Sequence, residues 1–131
     1  MKKSIGTSTL LGAACLAVMP IAPAYAANWV YAVTSVGNTD YYYDSDTLQR
    51  SGDQVTVWFR LDHSRDKTIK QREAKDQYRV NCATRTITLL YTVNYYPDGK
   101  SESFSYNTYE QTVNPVVPGS LAENLLEVIC K

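Results

Sequence analysis

A chain of 131 residues holds one ordinary domain and leaves no room for a multidomain enzyme. Its 13 Lys and Arg balance 13 Asp and Glu, and without the two lysines of a cleavable leader 11 basic side chains face 13 acidic ones. That balance gives no electrostatic footprint for nucleic acid or anionic lipid, while 44% hydrophobic and 20% charged residues are globular values that exclude wholesale disorder.

Residues 1–26 read as a secretory signal, with Lys2 and Lys3 as the positive end, Leu10 to Met19 as the apolar stretch and Ala24-Tyr25-Ala26 as a small-x-small cleavage site. The mature domain is then 27–131. A membrane span is the competing reading, but the apolar stretch stops at Pro20, well short of the roughly 20 residues a span needs. Acylation at Cys15 is a second alternative, which Gly12 disfavours by standing where such sites usually carry Leu.

Asn28 to Val36 alternates as a strand, with Trp29, Tyr31 and Val33 on one side. Tyr41-Tyr42-Tyr43 continues as a short β segment, and Asp44 to Thr47 offers side-chain oxygens to a turn. Val55, Val57, Phe59 and Leu61 share one face of the cleanest strand and are expected to be core, with Thr56, Trp58 and Arg60 opposite. The charged run from Asp62 to Lys75 predicts a solvated, mobile hairpin loop whose far end re-enters a strand. Tyr78, Val80 and Cys82 then share a face, and Ile87, Leu89, Tyr91, Val93 and Tyr95 are expected along one side of the next strand. Pro97-Asp98-Gly99-Lys100 is a turn, followed by a return strand through Phe104 and Tyr106. Residues 107–117, with Pro115 near their end and Pro118 just beyond, are expected to run extended. Ser120 and Glu123 form a capping box, and Leu121, Ala122, Leu125, Leu126, Val128 and Ile129 sweep one side of an amphipathic helix.

With the leader removed two cysteines remain in a chain bound for an oxidising compartment, so a Cys82–Cys130 disulfide is the default. It would staple the helix to the strand around Cys82, closing a loop of about 50 residues that stabilises the fold by about 4 kcal/mol in the chain-entropy model. The predicted architecture is α+β: about six antiparallel strands with the C-terminal helix packed on one face and one disulfide.

Chemistry is sparse. His63 is the one imidazole, and in Asp62-His63-Ser64 neighbouring side chains point to opposite sides of an extended chain, so no nucleophilic relay forms. It is expected to be a solvated loop histidine. Asp44-Ser45-Asp46 lacks the Gly and the bidentate Glu of a calcium loop, since Gln49 and Val55 occupy those places. Two cysteines and one histidine do not make a zinc site, no C-x-x-C spacing suggests a redox pair, and no glycine-rich phosphate loop occurs. We expect no enzyme, no metal and no cofactor.

Tyrosine is in excess, with ten in the mature chain. One reading is half-buried sheet positions; the other is a binding face, because Tyr joins large contact area to low entropy cost. Tyr41, Tyr42, Tyr43, Tyr95, Tyr96, Tyr106 and Tyr109 are the candidates. Stacking of single-stranded nucleic acid lacks the positive groove it needs.

The order of a Trp29 strand, Tyr42 to Asp44 before Thr47-Leu48, Val57-Trp58, Asn81-Cys82 with Arg85, Asp98-Gly99-Lys100, Pro118-Gly119-Ser120 and Cys130 resembles the surface-adhesin protein E-like family of Gram-negative bacteria across 27–131. The resemblance implies an antiparallel sheet with a packed helix and a disulfide, and a cell-envelope protein binding host extracellular proteins. Two functional expectations follow. One is a non-enzymatic exported binding module, an adhesin for host extracellular-matrix or serum proteins, which uses the tyrosines and the basic stretch Arg65 to Lys75. The other is a soluble periplasmic structural or assembly accessory with no host ligand, favoured by the poor acylation context. Partners are proteins rather than nucleic acid, no span remains in the mature chain, and the location is periplasm or cell surface.

Overall fold

Val55, Val57 and Phe59 are at most 1% exposed and Leu61 is 9% exposed, while Thr56, Trp58 and Arg60 between them are half-buried. This period of two sets up the whole architecture, because the strand that carries it lies inside an antiparallel sheet and presents one face to a helix. The computed structural model describes residues 26–131 and four isolated positions before them; most of the expected export signal, and Cys15, fall outside the described residues. The strands are β1 Trp29–Thr34, β2 Asp40–Asp44, β3 Gln49–Ser51, β4 Gln54–Asp62, β5 Glu73–Asn81, β6 Thr86–Tyr95, β7 Ser101–Ser105 and β8 Val113–Pro115, followed by α1 Leu121–Ile129.

The main path runs β1-β2-β4-β5-β6-β7, with β3 also paired to β4 and β8 also paired to β6. β2 lies along residues 59–62 of β4 and β3 along 54–56, so the two share one lane. In the same way β7 lies along 91–95 of β6 and β8 along 86–88. Eight strands therefore fill six lanes. The two that the residue pattern did not announce, β3 and β8, are three residues each, too short for alternation to mark.

One face of the sheet meets the helix. Leu125, Leu126 and Ile129 join Val55, Val57, Phe59, Leu61, Ala74, Val80 and Val116 in a single buried cluster. Ser120 caps the helix, its hydroxyl accepting from the Glu123 amide at 3.3 Å, and the Glu123 carboxylate accepts in return from the Gly119 amide at 3.3 Å. Cys130 closes the helix and is disulfide-bonded to Cys82, with Cα atoms 5.7 Å apart. The Arg50 guanidinium reaches from β3 to the Ile129 carbonyl and further ties down the helix end. Gly99, at φ 87°, makes the hairpin turn between β6 and β7 in a backbone region that favours glycine.

Two irregularities change which side chains share a face. The register of β1 against β2 shifts between Tyr31 and Val33, and that of β5 against β6 shifts opposite Gln77 and Tyr78, where Leu89 and Tyr91 flank an extra residue. A β-bulge inserts one residue and reverses the phase of alternation beyond it. The expected one-sided rows are thus each divided. Val33 turns to the core while Trp29 and Tyr31 stay on the other face, and Ile87 packs on the core while Tyr91, Val93 and Tyr95 lie opposite.

The stretch 62–75 is also more ordered into the fold than the expected solvated loop. β5 already begins at Glu73, His63 is 8% exposed, and Asp66 is 6% exposed. Because β4 runs through Asp62, His63 keeps the phase of Leu61 and turns inward. Its Nδ1 is 2.9 Å from the Thr39 hydroxyl, which donates to Asp66 Oδ2 at 2.9 Å; with that proton spent, His63 Nδ1–H is the donor to Thr39. A Cβ at Gly37 would come within 2.9 Å of Asp66 Oδ2, so a side chain there would displace the Asp66 carboxylate from this network. Burial pushes the His63 pKa down, opposed by Asp66, Asp76, Asp62 and Glu73.

Candidate functional site

The face that the helix leaves open is built from rows of residues set by strand register. One row runs Tyr31, Tyr42, Arg60, Lys75 and Val93 across five lanes; the next holds Trp58, Gln77 and Tyr91. Aromatic rings meet edge to face here, Tyr31 with Tyr42 at 5.8 Å and Trp58 with Tyr91 at 5.6 Å. Two cations lie among them. Arg60 sits over Tyr42 at 5.4 Å, donates to Glu73 at 2.9 Å and pairs with Asp62 at 3.7 Å. Lys75 is held between Trp29 at 6.0 Å and Tyr95 at 5.4 Å and, among the described residues, has no carboxylate within ion-pair distance. Such an arrangement can attract an acidic or aromatic group by cation–π, hydrogen-bond and apolar contact together.

The tyrosine candidates divide. Tyr42 and Tyr95 belong to this open face. Tyr41 and Tyr43, in opposite phase on β2, pack against the core on the helix side. Tyr96 lies past β6 at the hairpin, its hydroxyl donating to Glu102 at 2.9 Å, and Tyr106 is half-buried with its carbonyl accepting from Gln111 at 3.0 Å. Tyr109 projects from the following turn at 98% exposure. Trp29, Tyr31, Arg60 and Tyr91 escaped the list of candidates, and Lys75 entered it only as the end of the basic stretch Arg65 to Lys75. The signal that could have found most of them is the alternation of β4: Trp58 and Arg60 lie opposite its core face, and their cross-strand partners must lie there too.

On the helix side a second polar group is not a surface. Asp76 is 8% exposed, accepts from the Thr92 hydroxyl and, at 3.4 Å, from Tyr78, whose ring packs edge to face on Phe59. Burial pushes the Asp76 pKa up against these hydrogen bonds and the opposing charge of His63, and burial likewise pushes up Tyr41 and Tyr78, with the Asp76 charge adding to both. A carboxyl with a raised folded-state pKa favours folding most fully below its unfolded pKa, and that contribution is lost as pH rises through the folded value. Asp76→Asn is therefore expected to melt above the wild type at pH 7, with the gap narrowing as pH falls through the raised folded-state pKa and closed below about pH 4. Thermal melts of the two proteins across that range measure it, and a gap independent of pH would contradict the burial argument.

Asp44, 3% exposed, accepts from the Asn28 amide at 2.9 Å, the Asp46 amide at 3.1 Å and the Thr47 hydroxyl, a satisfied turn rather than a cation loop. Among the described residues no helix is long and apolar enough to cross a membrane.

A family model described as surface-adhesin protein E matches residues 29–131. No curated protein matches the chain in sequence. Among solved structures, the chain is similar to Haemophilus influenzae protein E in crystal form II, with a TM-score of 0.57 at 20% identity, over 84% of this chain and 94% of that one. It is similar also to protein E from non-typeable Haemophilus influenzae, with a TM-score of 0.53 at 17% identity, over 84% and 81%. At such identities the likeness to these structures is one of fold.

Proposed function

The chain belongs to the surface-adhesin protein E family, and from that membership we propose that it is an exported, non-catalytic cell-envelope binding module that engages host extracellular proteins through the open face of its sheet. The observation that carries this reading is Lys75, set between Trp29 and Tyr95 on the face the helix does not cover. A cation already ordered by aromatic rings loses little side-chain entropy on meeting an acidic partner. The flanking rings supply the apolar area on which interface affinity concentrates. Tyr42 and Tyr95 are the members of the tyrosine set that serve this face; the disulfide Cys82–Cys130 holds the opposite one.

The test has two arms. On intact cells an added protease is expected to cleave the domain; survival until the outer membrane is opened would favour the periplasmic accessory role instead. With purified protein on immobilised extracellular-matrix and serum proteins, Lys75→Ala and Trp29→Ala are expected to weaken binding about tenfold each. Binding equal to wild type in both variants would exclude the open face.

A further inference from the structure

At one end of the open face the sheet carries a cleft of about 380 Å³ lined by Gln54, Arg79, Asn81, Thr86, Thr88 and Val113, with Thr84 at its margin. Register explains the gathering: Gln54, Asn81 and Thr86 form one row, and Arg79, Thr88 and Val113 the next. The row beyond is that of Trp58, Gln77 and Tyr91. The lining holds no carboxylate, and its one charge, Arg79, donates to Gln111 Oε1 at 3.3 Å.

The polar groups are not consumed by one another. Asn81 Oδ1 accepts from the Ala83 and Thr84 amides at 3.0 Å each, which orients the side chain and leaves its NH₂ to donate. The Thr84 and Thr86 hydroxyls share a single hydrogen bond of 2.9 Å, so one of the two O–H groups remains to donate elsewhere. Thr88 is 4% exposed, yet among the described residues its hydroxyl bonds to no protein atom. No fully sealed side-chain polar atom among them lacks a partner, so that hydroxyl is reached from the cleft. A nearly buried hydroxyl of this kind is completed by whatever occupies the cleft.

We propose that the cleft binds a pyranose unit of a glycan. Sugar hydroxyls donate and accept at close spacing, as this mixture of amide, hydroxyl and guanidinium groups requires, and Val113, 64% exposed, offers an apolar contact for the C–H face. A phosphorylated ligand would call for more than one cation, and a lipid for a lining of apolar side chains; Arg79 is the one cation here and Val113 the one apolar side chain. Its volume falls within the roughly 300–1,000 Å³ of small-molecule clefts. The proposal rests on the reading of the open face as a binding surface and adds a ligand class to it.

Titration of the ¹⁵N-labelled protein with N,N′-diacetylchitobiose, lactose and 3′-sialyllactose tests it. At least one sugar is expected to shift amides confined to residues 54, 79–88 and 111–113. Thr88→Val keeps the shape, removes the hydroxyl, and is expected to weaken that binding at least about fivefold at an unchanged melting temperature. Gln54→Ala at the exposed rim provides the same readout should Thr88→Val fail to fold. Shifts scattered over the surface, none with any of the three sugars, or wild-type affinity in the folded variants would overturn the proposal. Binding to a host protein that Lys75→Ala abolishes, with no amide shifted by any of the three sugars, would overturn it while leaving the broader reading intact. Sugar binding by a domain that protease cannot reach on intact cells would uphold the glycan site and remove the adhesin reading.

Discussion

Cys130→Ser is expected to lower the melting temperature by about 15 °C or more, and reduction of the wild type to do the same. The argument combines covalent and packing terms. The disulfide spans 48 positions, and releasing such a loop returns about 4 kcal/mol of chain entropy to the unfolded state; for a domain of this size each kcal/mol corresponds to about 4–8 °C. The helix it secures has nine residues, too few to hold together alone in water. Leu125, Leu126 and Ile129 must then keep it in place by packing, helped by Arg50 at the last carbonyls. Melts followed by circular dichroism, with and without reductant, measure the loss, and an unchanged melt would show that packing alone suffices.

A comparable loss, about 3–5 kcal/mol, is expected for Phe59→Ala. Phe59 is 0% exposed on β4, which is paired along both sides, and its ring meets Tyr78 edge to face at 5.9 Å. Truncation would leave a void between the sheet and the helix layer. The other phenylalanine supplies the internal control: Phe104, 47% exposed on β7 at the sheet margin, is expected to cost under about 1 kcal/mol on the same change. Urea unfolding of both variants separates them, and equal losses would contradict the placement of the core.

Those outcomes depend on elements that were legible before any fold was known. Val55 to Leu61 alternates without interruption, the capping box at Ser120 marks the helix start, and Cys82 and Cys130, the two cysteines beyond the expected leader, have one partner each. What escaped has a common physical cause. A β-bulge is a property of two strands in register, so residues 29–34 read alone gave the phase of Trp29 and Tyr31 but carried it wrongly to Val33. In β6 there was a trace, the apolar run Leu89-Leu90-Tyr91 that breaks alternation, and it marks the bulge. His63 and Asp66 were hidden by composition: surrounded by Arg65, Lys67 and Lys70, they read as solvated, although Thr39, 24 residues before His63, completes their hydrogen bonding. The aromatic character of the open face was legible as an excess of tyrosine, not as a place. Single residues identify ring chemistry, whereas the cluster that joins Trp29, Lys75 and Tyr95 is made by three strands.

The division of lanes among short strands bears on how the protein survives at high local concentration. A sheet ending in one long straight strand offers a template on which another chain can add. Here one margin is β1, six residues interrupted by a bulge, and the other is split between β7 and β8, five and three residues, the latter ending in Pro115, which has no amide hydrogen to donate. Glu102 places a charge within β7. Neither margin provides the uninterrupted ladder that fibrous self-association needs, so a domain rich in tyrosine and β-structure can be crowded together without its sheets joining edge to edge.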